Sequence, residues 1–163
     1  MVEHASDAGA DADTDAGARA DALDRVESEV GRVIRRVRLV IAARARMVHP
    51  GLHAASYLML RWVAENGPVR AGAIAEEFSV DKGAVSRMVQ SLEELELVER
   101  NPDPADGRAS LLSATAPAKQ MLDRGDGERR DFFSEQMSEW STADLASFGE
   151  LLARYNETIE GPG

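Results

Sequence analysis

Three residues, Ser79-Val80-Asp81, separate two stretches whose apolar side chains recur at helical spacing, and that short joint constrains the fold more than any other feature. The spacing predicts one short helix over residues 71–78 and a second over 82–95. Two helices joined by three or four residues must cross side by side, which is the helix-turn-helix unit. Ile74 and Phe78 supply core contacts from the first helix, and Ala75 is small enough for a close crossing. In the second helix Val85, Met88, Val89 and Leu92 fall at i, i+3, i+4 and i+7 and make one buried face. Lys82, Gly83, Ser86, Arg87 and Gln90 share the opposite face. Asp81 precedes them as an N-cap, its carboxylate placed to accept from first-turn amides.

That outer face has the chemistry to read duplex DNA. A helix fits the major groove, where an arginine pairs bidentately with guanine and a glutamine does the same with adenine. The expected contacts are therefore Lys82, Gly83, Ser86, Arg87 and Gln90, with Arg87 matched to guanine and Gln90 to adenine. Gly83 costs about 1 kcal/mol of helix propensity, tolerable where a first turn approaches a phosphate. A merely solvated polar face would show the same pattern, and the residues that follow decide between the two. Residues 97–100 and 110–113 read as two short strands joined by the turn-rich segment 101–108. A helix-turn-helix followed by a two-stranded wing is a specific combination.

The flanks are helical. Leu23, Val26, Val30, Val33, Ile34, Val37 and Ile41 form one apolar stripe, which predicts a helix over 21–48, about 40 Å long. Arg32, Arg35, Arg36 and Arg38 lie on its other face, where they are either solvated or available to an anion. A helix of that length in so small a protein finds its partner outside its own domain. His49-Pro50-Gly51 ends it, a helix over 53–64 follows, and Asn66-Gly67-Pro68 ends that one. After the wing, Thr115 caps a helix over 116–137. Ser141 and Asp144 form a capping-box pattern that opens a last helix, with Leu145, Phe148, Leu152, Tyr155 and Ile159 on one stripe. Residues 1–20 are Ala, Asp and Gly with almost no large apolar side chain, the signature of a disordered acidic tail. The expected organisation is that tail, helical flanks at 21–48 and 116–163, and a winged helix-turn-helix DNA-binding domain at 49–115. The fold class is mainly α with a small β-wing: a winged helix-turn-helix with N- and C-terminal flanking helices, which the resemblance given below makes dimerisation helices.

A net charge of −10 argues against a nonspecific basic coat for nucleic acid. Position matters more than the sum. Residues 25–48 carry seven arginines against Glu27 and Glu29, whereas residues 121–163 carry ten acids against four arginines. Residues 49–120 hold seven bases and ten acids, so any DNA contact must come from a few placed groups. The chain has no cysteine, which removes disulfides and thiolate metal sites. No apolar run approaches the roughly 18 residues a membrane helix needs, and no signal-peptide core is present, so a cytoplasmic protein is expected. No nucleophile–base set or phosphate loop points to an enzyme, and no cofactor is expected.

Three stretches together carry a family resemblance: Gly67-Pro68-Val69, residues 74–93, and Leu97-Val98-Glu99-Arg100. With the wing Asp103-Pro104-Ala105-Asp106-Gly107-Arg108 ahead of Leu111 and Ala114-Thr115, the chain resembles the MarR-type regulators over about residues 30–158. The resemblance implies a homodimer joined through its flanking helices, with two winged units on one pseudo-palindromic operator of double-stranded DNA. It implies that Arg108 reaches the minor groove from the wing and that Asp106 orients the loop by pairing with an arginine. Members of that family commonly respond to small, often aromatic ligands. Met47, Tyr57, Met59 and Trp62 are the candidates for such a pocket, against the alternative that they are core. The function expected is a sequence-specific transcriptional regulator, a repressor released by a small ligand. Two alternatives stand beside it. A winged-helix protein-interaction module that does not bind DNA would suit the acidic middle and Glu93, Glu94 and Glu96 beside the recognition helix. A zinc-responsive regulator would use His49 and His53, four apart, although Pro50-Gly51 interrupts the helical spacing, and no metal site is assigned. Where the family usually has Gly before the first wing strand this chain has Glu96, so a different helix cap is expected there.

Overall fold

The computed structural model describes residues 7–160, with side chains described from Asp15 to Ile159. The elements run α1 (Asp7–Val48), α2 (Ala54–Asn66), β1 (Val69–Arg70), α3 (Ala71–Glu77), α4 (Lys82–Glu94), β2 (Val98–Asp103), β3 (Asp106–Ala114), α5 (Ala116–Gln136) and α6 (Thr142–Glu160). The chain divides into two units after Lys119.

The joint between α3 and α4 is built from two local devices. Ser79 takes a φ of 49°, in the left-handed region, and its N–H donates to Glu76 O at 3.2 Å. The Val80 N–H donates to Ala75 O at 3.1 Å, closing a paired Schellman cap on α3. Asp81 then starts α4: its Oδ1 accepts from the Ala84 N–H at 2.9 Å. That bond, more than any other influence, holds the Asp81 carboxyl below its usual range, and the nearby charge of Arg87 acts in the same direction. The capping role expected of Asp81 is what the structure shows.

The same closure ends α4, against expectation. Glu96 adopts a φ of 57°, donating to Glu93 O at 2.9 Å, while Leu97 N–H reaches Leu92 O at 2.9 Å. The cap that usually takes glycine is therefore made with glutamate in the left-handed region. Leu92 and Leu97, the apolar pair that accompanies such a cap, are both buried, and Glu96 O accepts from Thr115 Oγ1 at 3.0 Å. Tertiary contacts hold a conformation that the side chain itself disfavours.

Ile74, Val85, Val89, Leu92 and Leu112 are fully buried, together with Met59, Leu60 and Val63 of α2, and form the core on which both α4 and the wing rest. Each such aliphatic side chain contributes about 1.5–3 kcal/mol by leaving water. Met88, expected on the buried face of α4, is half-buried at its edge. The sheet order is β1-β3-β2, antiparallel throughout, with Val69 opposite Leu112 and Val98 opposite Ala114. Strand β1 has only two residues and exists through its pairing with β3. Gly67, joined to Pro68 by a cis peptide bond, fits because a Cβ there would lie 2.5 Å from Val63 O.

The flanking helices differ from expectation at their start. Helix α1 begins at Asp7, so the stretch read as a disordered tail is helical from Asp7 onward, and residues 1–6 lie outside the described residues. Alanine's helix propensity favours this extension, since the described side chains from Asp15 to Glu29 are exposed and contribute no packing. Along the expected stripe Leu23, Val26, Val33, Ile34 and Val37 remain half exposed, and among the described side chains of α1 Ala45 is the buried one. In the second unit Ser141 Oγ accepts from the Asp144 N–H at 3.1 Å, the first half of the predicted capping box, while Asp144 Oδ2 takes the Ser141 hydroxyl at 2.6 Å in place of its backbone N–H. Trp140 and Phe148 meet edge to face at 5.6 Å, while Leu151, Leu152 and Ile159 of α6 are exposed.

Replacing Glu96 by glycine should stabilise the protein by up to about 1 kcal/mol, the left-handed penalty less the entropy glycine adds to the unfolded chain. A higher urea midpoint at unchanged m-value would show this. A lower midpoint would mean that the glutamate side chain, not the backbone geometry, sustains the cap.

Candidate nucleic-acid interface

Helix α4 presents Lys82, Gly83, Ser86, Arg87 and Gln90 to solvent together, as its spacing predicts. Gly83 has a local reason as well as the one expected from sequence. A Cβ at this position would sit 2.9 Å from Asp81 Oδ1 and 3.5 Å from Arg87 Nη1, crowding the capping carboxylate. The Gln90 amide is engaged: Nε2 donates to Glu94 Oε1 at 3.0 Å.

The wing is a longer hairpin than the sequence suggests. Residues 101–108, expected as a loop, are strand except for the two-residue turn Pro104-Ala105. Pro102 faces Ser110 and Asp103 faces Asp106, so the register jumps between them and leaves Gly107, Arg108 and Ala109 without partners on β2. A bulge of this kind re-aims the side chains it carries. Arg108, at its middle, is exposed.

Asp106 does not orient the wing by pairing with an arginine. Its Oδ1 accepts from the Arg108 backbone N–H at 3.1 Å, a turn contact inside the bulge. The Asp–Arg pair that does fix the wing is Asp103 with Arg70. Arg70 Nε donates to Asp103 Oδ2 at 2.7 Å, its Nη2 reaches the same oxygen, and Oδ1 accepts from Ala105 N–H at 2.8 Å. Asp103 is 6% exposed. The Ala105 amide, then Arg70, hold its carboxyl below the usual carboxylate range. Two aspartates three residues apart look alike in sequence. The difference is that the Asp103 side chain is buried and reaches Arg70, at the end of a strand that was itself invisible, whereas Asp106 stays exposed.

The acids beside the recognition helix are also accounted for. Glu93 Oε1 accepts from Arg100 Nε at 2.6 Å, and Arg100 Nη1 lies 3.4 Å from Ser110 Oγ, tying α4 to both wing strands. Lys82, Arg87 and Arg108 form no ion pair among the described residues and are exposed. Of the acids that favoured a protein-interaction module, Glu93 is thus spent on an internal contact, while Glu94 and Glu96 stay exposed.

The four residues expected to line a ligand pocket have different surroundings. Met59 and Tyr57 are buried, Met47 is 68% exposed, and Trp62 packs edge-on against Phe78 at 6.2 Å. Residues two apart on a helix point in opposite directions, so Tyr57 and Met59 serve different sides of α2. The zinc reading also finds no support. His49 Nδ1 accepts from the Gly51 N–H at 3.0 Å, and no group of three metal-ligating side chains occurs among the described residues. Nor is any helix among the described residues long and apolar enough to cross a membrane.

A helix-turn-helix whose second helix exposes a donor face, followed by a hairpin with an outward arginine, defines a winged-helix DNA-binding protein. Known proteins give the family. The MarR family model matches residues 51–109. The HTH-type transcriptional regulator YxaD of Bacillus subtilis is 37% identical over 137 residues, 84% of this chain and 94% of its own. The HTH-type transcriptional repressor NicR of Pseudomonas putida is 25% identical over 140 residues, 85% of this chain and 89% of its own. The fold matches Streptococcus pneumoniae FabT, solved in complex with DNA, with a TM-score of 0.76 at 15% identity over 85% of this chain and 97% of that one. The chain belongs to the MarR family, whose members are DNA-binding transcriptional regulators and not enzymes.

The folded-state depression of the Asp103 pKa sets a sign. Its contribution to stability is fully present above the unfolded value, near 3.8, and is lost as pH falls through the lower folded value. Hydrogen exchange at the Ala105 amide should therefore stay slow from neutral pH down to about 4 and quicken, relative to the intrinsic rate, only below that. Asp103→Asn should show the fast rate already at neutral pH and lose the acid step. Equal protection in both proteins would mean that the pair does not hold the wing.

Proposed function

We propose that the protein is a cytoplasmic, dimeric, sequence-specific repressor of transcription. The observation that carries this reading is that one buried core supports both the exposed donor face of α4 and the bulge that projects Arg108. Dimerisation is supported by the apolar stripes of α1 and α6, which a monomer would leave in water: Val33, Ile34 and Val37 of α1 and Leu152 and Ile159 of α6 are each at least 44% exposed. Two copies would insert their α4 helices into successive major grooves, about 34 Å apart, with Arg108 of each wing in the flanking minor groove. Occupancy of a promoter by that dimer is repression. The name of NicR, a repressor, is in keeping with this sign. Release by a small ligand rests on the family resemblance, and no residues are assigned to it. Lowering DNA affinity a hundredfold would require the ligand to favour the mismatched spacing by about 2.7 kcal/mol.

Arg87→Ala should abolish the sequence-specific shift of promoter DNA in a gel-mobility assay while leaving the dimer mass unchanged. Undiminished specific binding would contradict the assignment of α4. Arg108→Ala should weaken binding at all sequences and lower the salt slope by about one. A slope equal to that of the unsubstituted protein would remove the wing from the contact.

A further inference from the structure

We propose that Glu94 is a positioning residue for Gln90, and that it sets which orientation of an A·T pair the recognition helix accepts. The inference rests on α4 being the DNA-reading helix.

Gln90 and Glu94 lie one helical turn apart, and both are exposed on the face that carries Ser86 and Arg87. The Gln90 Nε2 donates to Glu94 Oε1 at 3.0 Å. An ionised carboxylate offers only acceptors, so the Gln90 amide can turn only its NH2 toward Glu94. The flipped amide would set carbonyl oxygen against carboxylate. One N–H of Gln90 is thereby committed, and the other N–H and Oε1 remain for the groove in a fixed order.

That order carries information. Adenine presents N7, an acceptor, and N6–H2, a donor, side by side on its major-groove edge. A glutamine free to flip its amide satisfies both on either strand of the duplex. An amide whose NH2 is held toward the C-terminal end of α4 satisfies both in one orientation only, and so separates A·T from T·A. The neighbouring acid supports the contrast, because Glu93 is drawn off the face by Arg100 while Glu94 stays on it. A carboxylate on a surface that meets phosphates opposes binding to every sequence alike. The contact to Gln90 is what it provides there.

Selection of bound sites from random DNA, followed by competition between single-base variants of the selected site, tests this with four proteins: unsubstituted, Gln90→Ala, Glu94→Ala and Glu94→Gln. The unsubstituted protein should favour adenine over thymine at one position in each half-site, and Gln90→Ala should lose that preference. Glu94→Ala should bind all sequences more tightly, yet its preference at that same position should fall about tenfold with the other positions unchanged. Glu94→Gln, whose carbonyl can still accept from Gln90, should recover part of it. Tighter binding by Glu94→Ala with the preference intact would overturn the inference, as would loss of a cytosine preference at a different position, since Glu94 would then be reading a base directly. If Gln90→Ala selects the same site as the unsubstituted protein, the inference also fails while the proposed function stands. Selection of no common sequence by the unsubstituted protein would overturn the reading of α4 itself, and the inference with it.

Discussion

Asp103 carries its charge where only 6% of the residue meets water, and the shape of the wing follows from what that charge needs. A buried carboxylate persists only when donors surround it. Here they are Arg70, at the end of β1 and at the N-cap position of α3, and the amide of Ala105 in the turn. The pair joins the last residue of β2 to the entry of the helix-turn-helix. Removing one partner would leave the other uncompensated, the costly way to break such a contact. The register shifts at this same residue, and Gly107–Ala109, with the exposed Arg108 among them, lie outside the ladder between β2 and β3.

The same economy runs through the interface. A protein of net charge −10 is repelled by DNA as a whole, and seven bases against ten acids in residues 49–120 do not reverse that. Four of the acids near the recognition helix nevertheless have a local task. Asp81 caps α4, Glu93 holds Arg100, Asp103 holds Arg70 and Glu94 holds Gln90. Lys82, Arg87 and Arg108 are exposed with no ion pair among the described residues, and these are the cations proposed to meet the duplex. Few phosphate contacts mean a shallow dependence on salt, and discrimination then depends on geometry more than on attraction.

How much of this was legible in the sequence depends on how local each cause is. The two helices, their three-residue joint and the Asp81 cap were readable because each is decided within one or two turns of chain. Strand β1 was not: two residues carry no periodicity, and only pairing with β3 makes them a strand. The turn-rich segment 101–108 reads as a loop from composition, yet pairing with β3 extends β2 as far as Asp103. The partner of Arg70 lies 33 residues away, so nothing local distinguishes Asp103 from Asp106. Glu96 shows the reverse case, where a correct local preference was overridden by the burial of Leu92 and Leu97 around it.

The central claim is that two copies of one winged unit, each using α4 and the Arg108 bulge, read one face of a DNA duplex. Hydroxyl-radical footprinting of the protein on a selected binding site tests it most directly. The account predicts two clusters of protection centred about one helical turn, roughly 10 base pairs, apart on the same face, each flanked by a short protected minor-groove stretch. A single cluster, or even protection without helical phase, would contradict it.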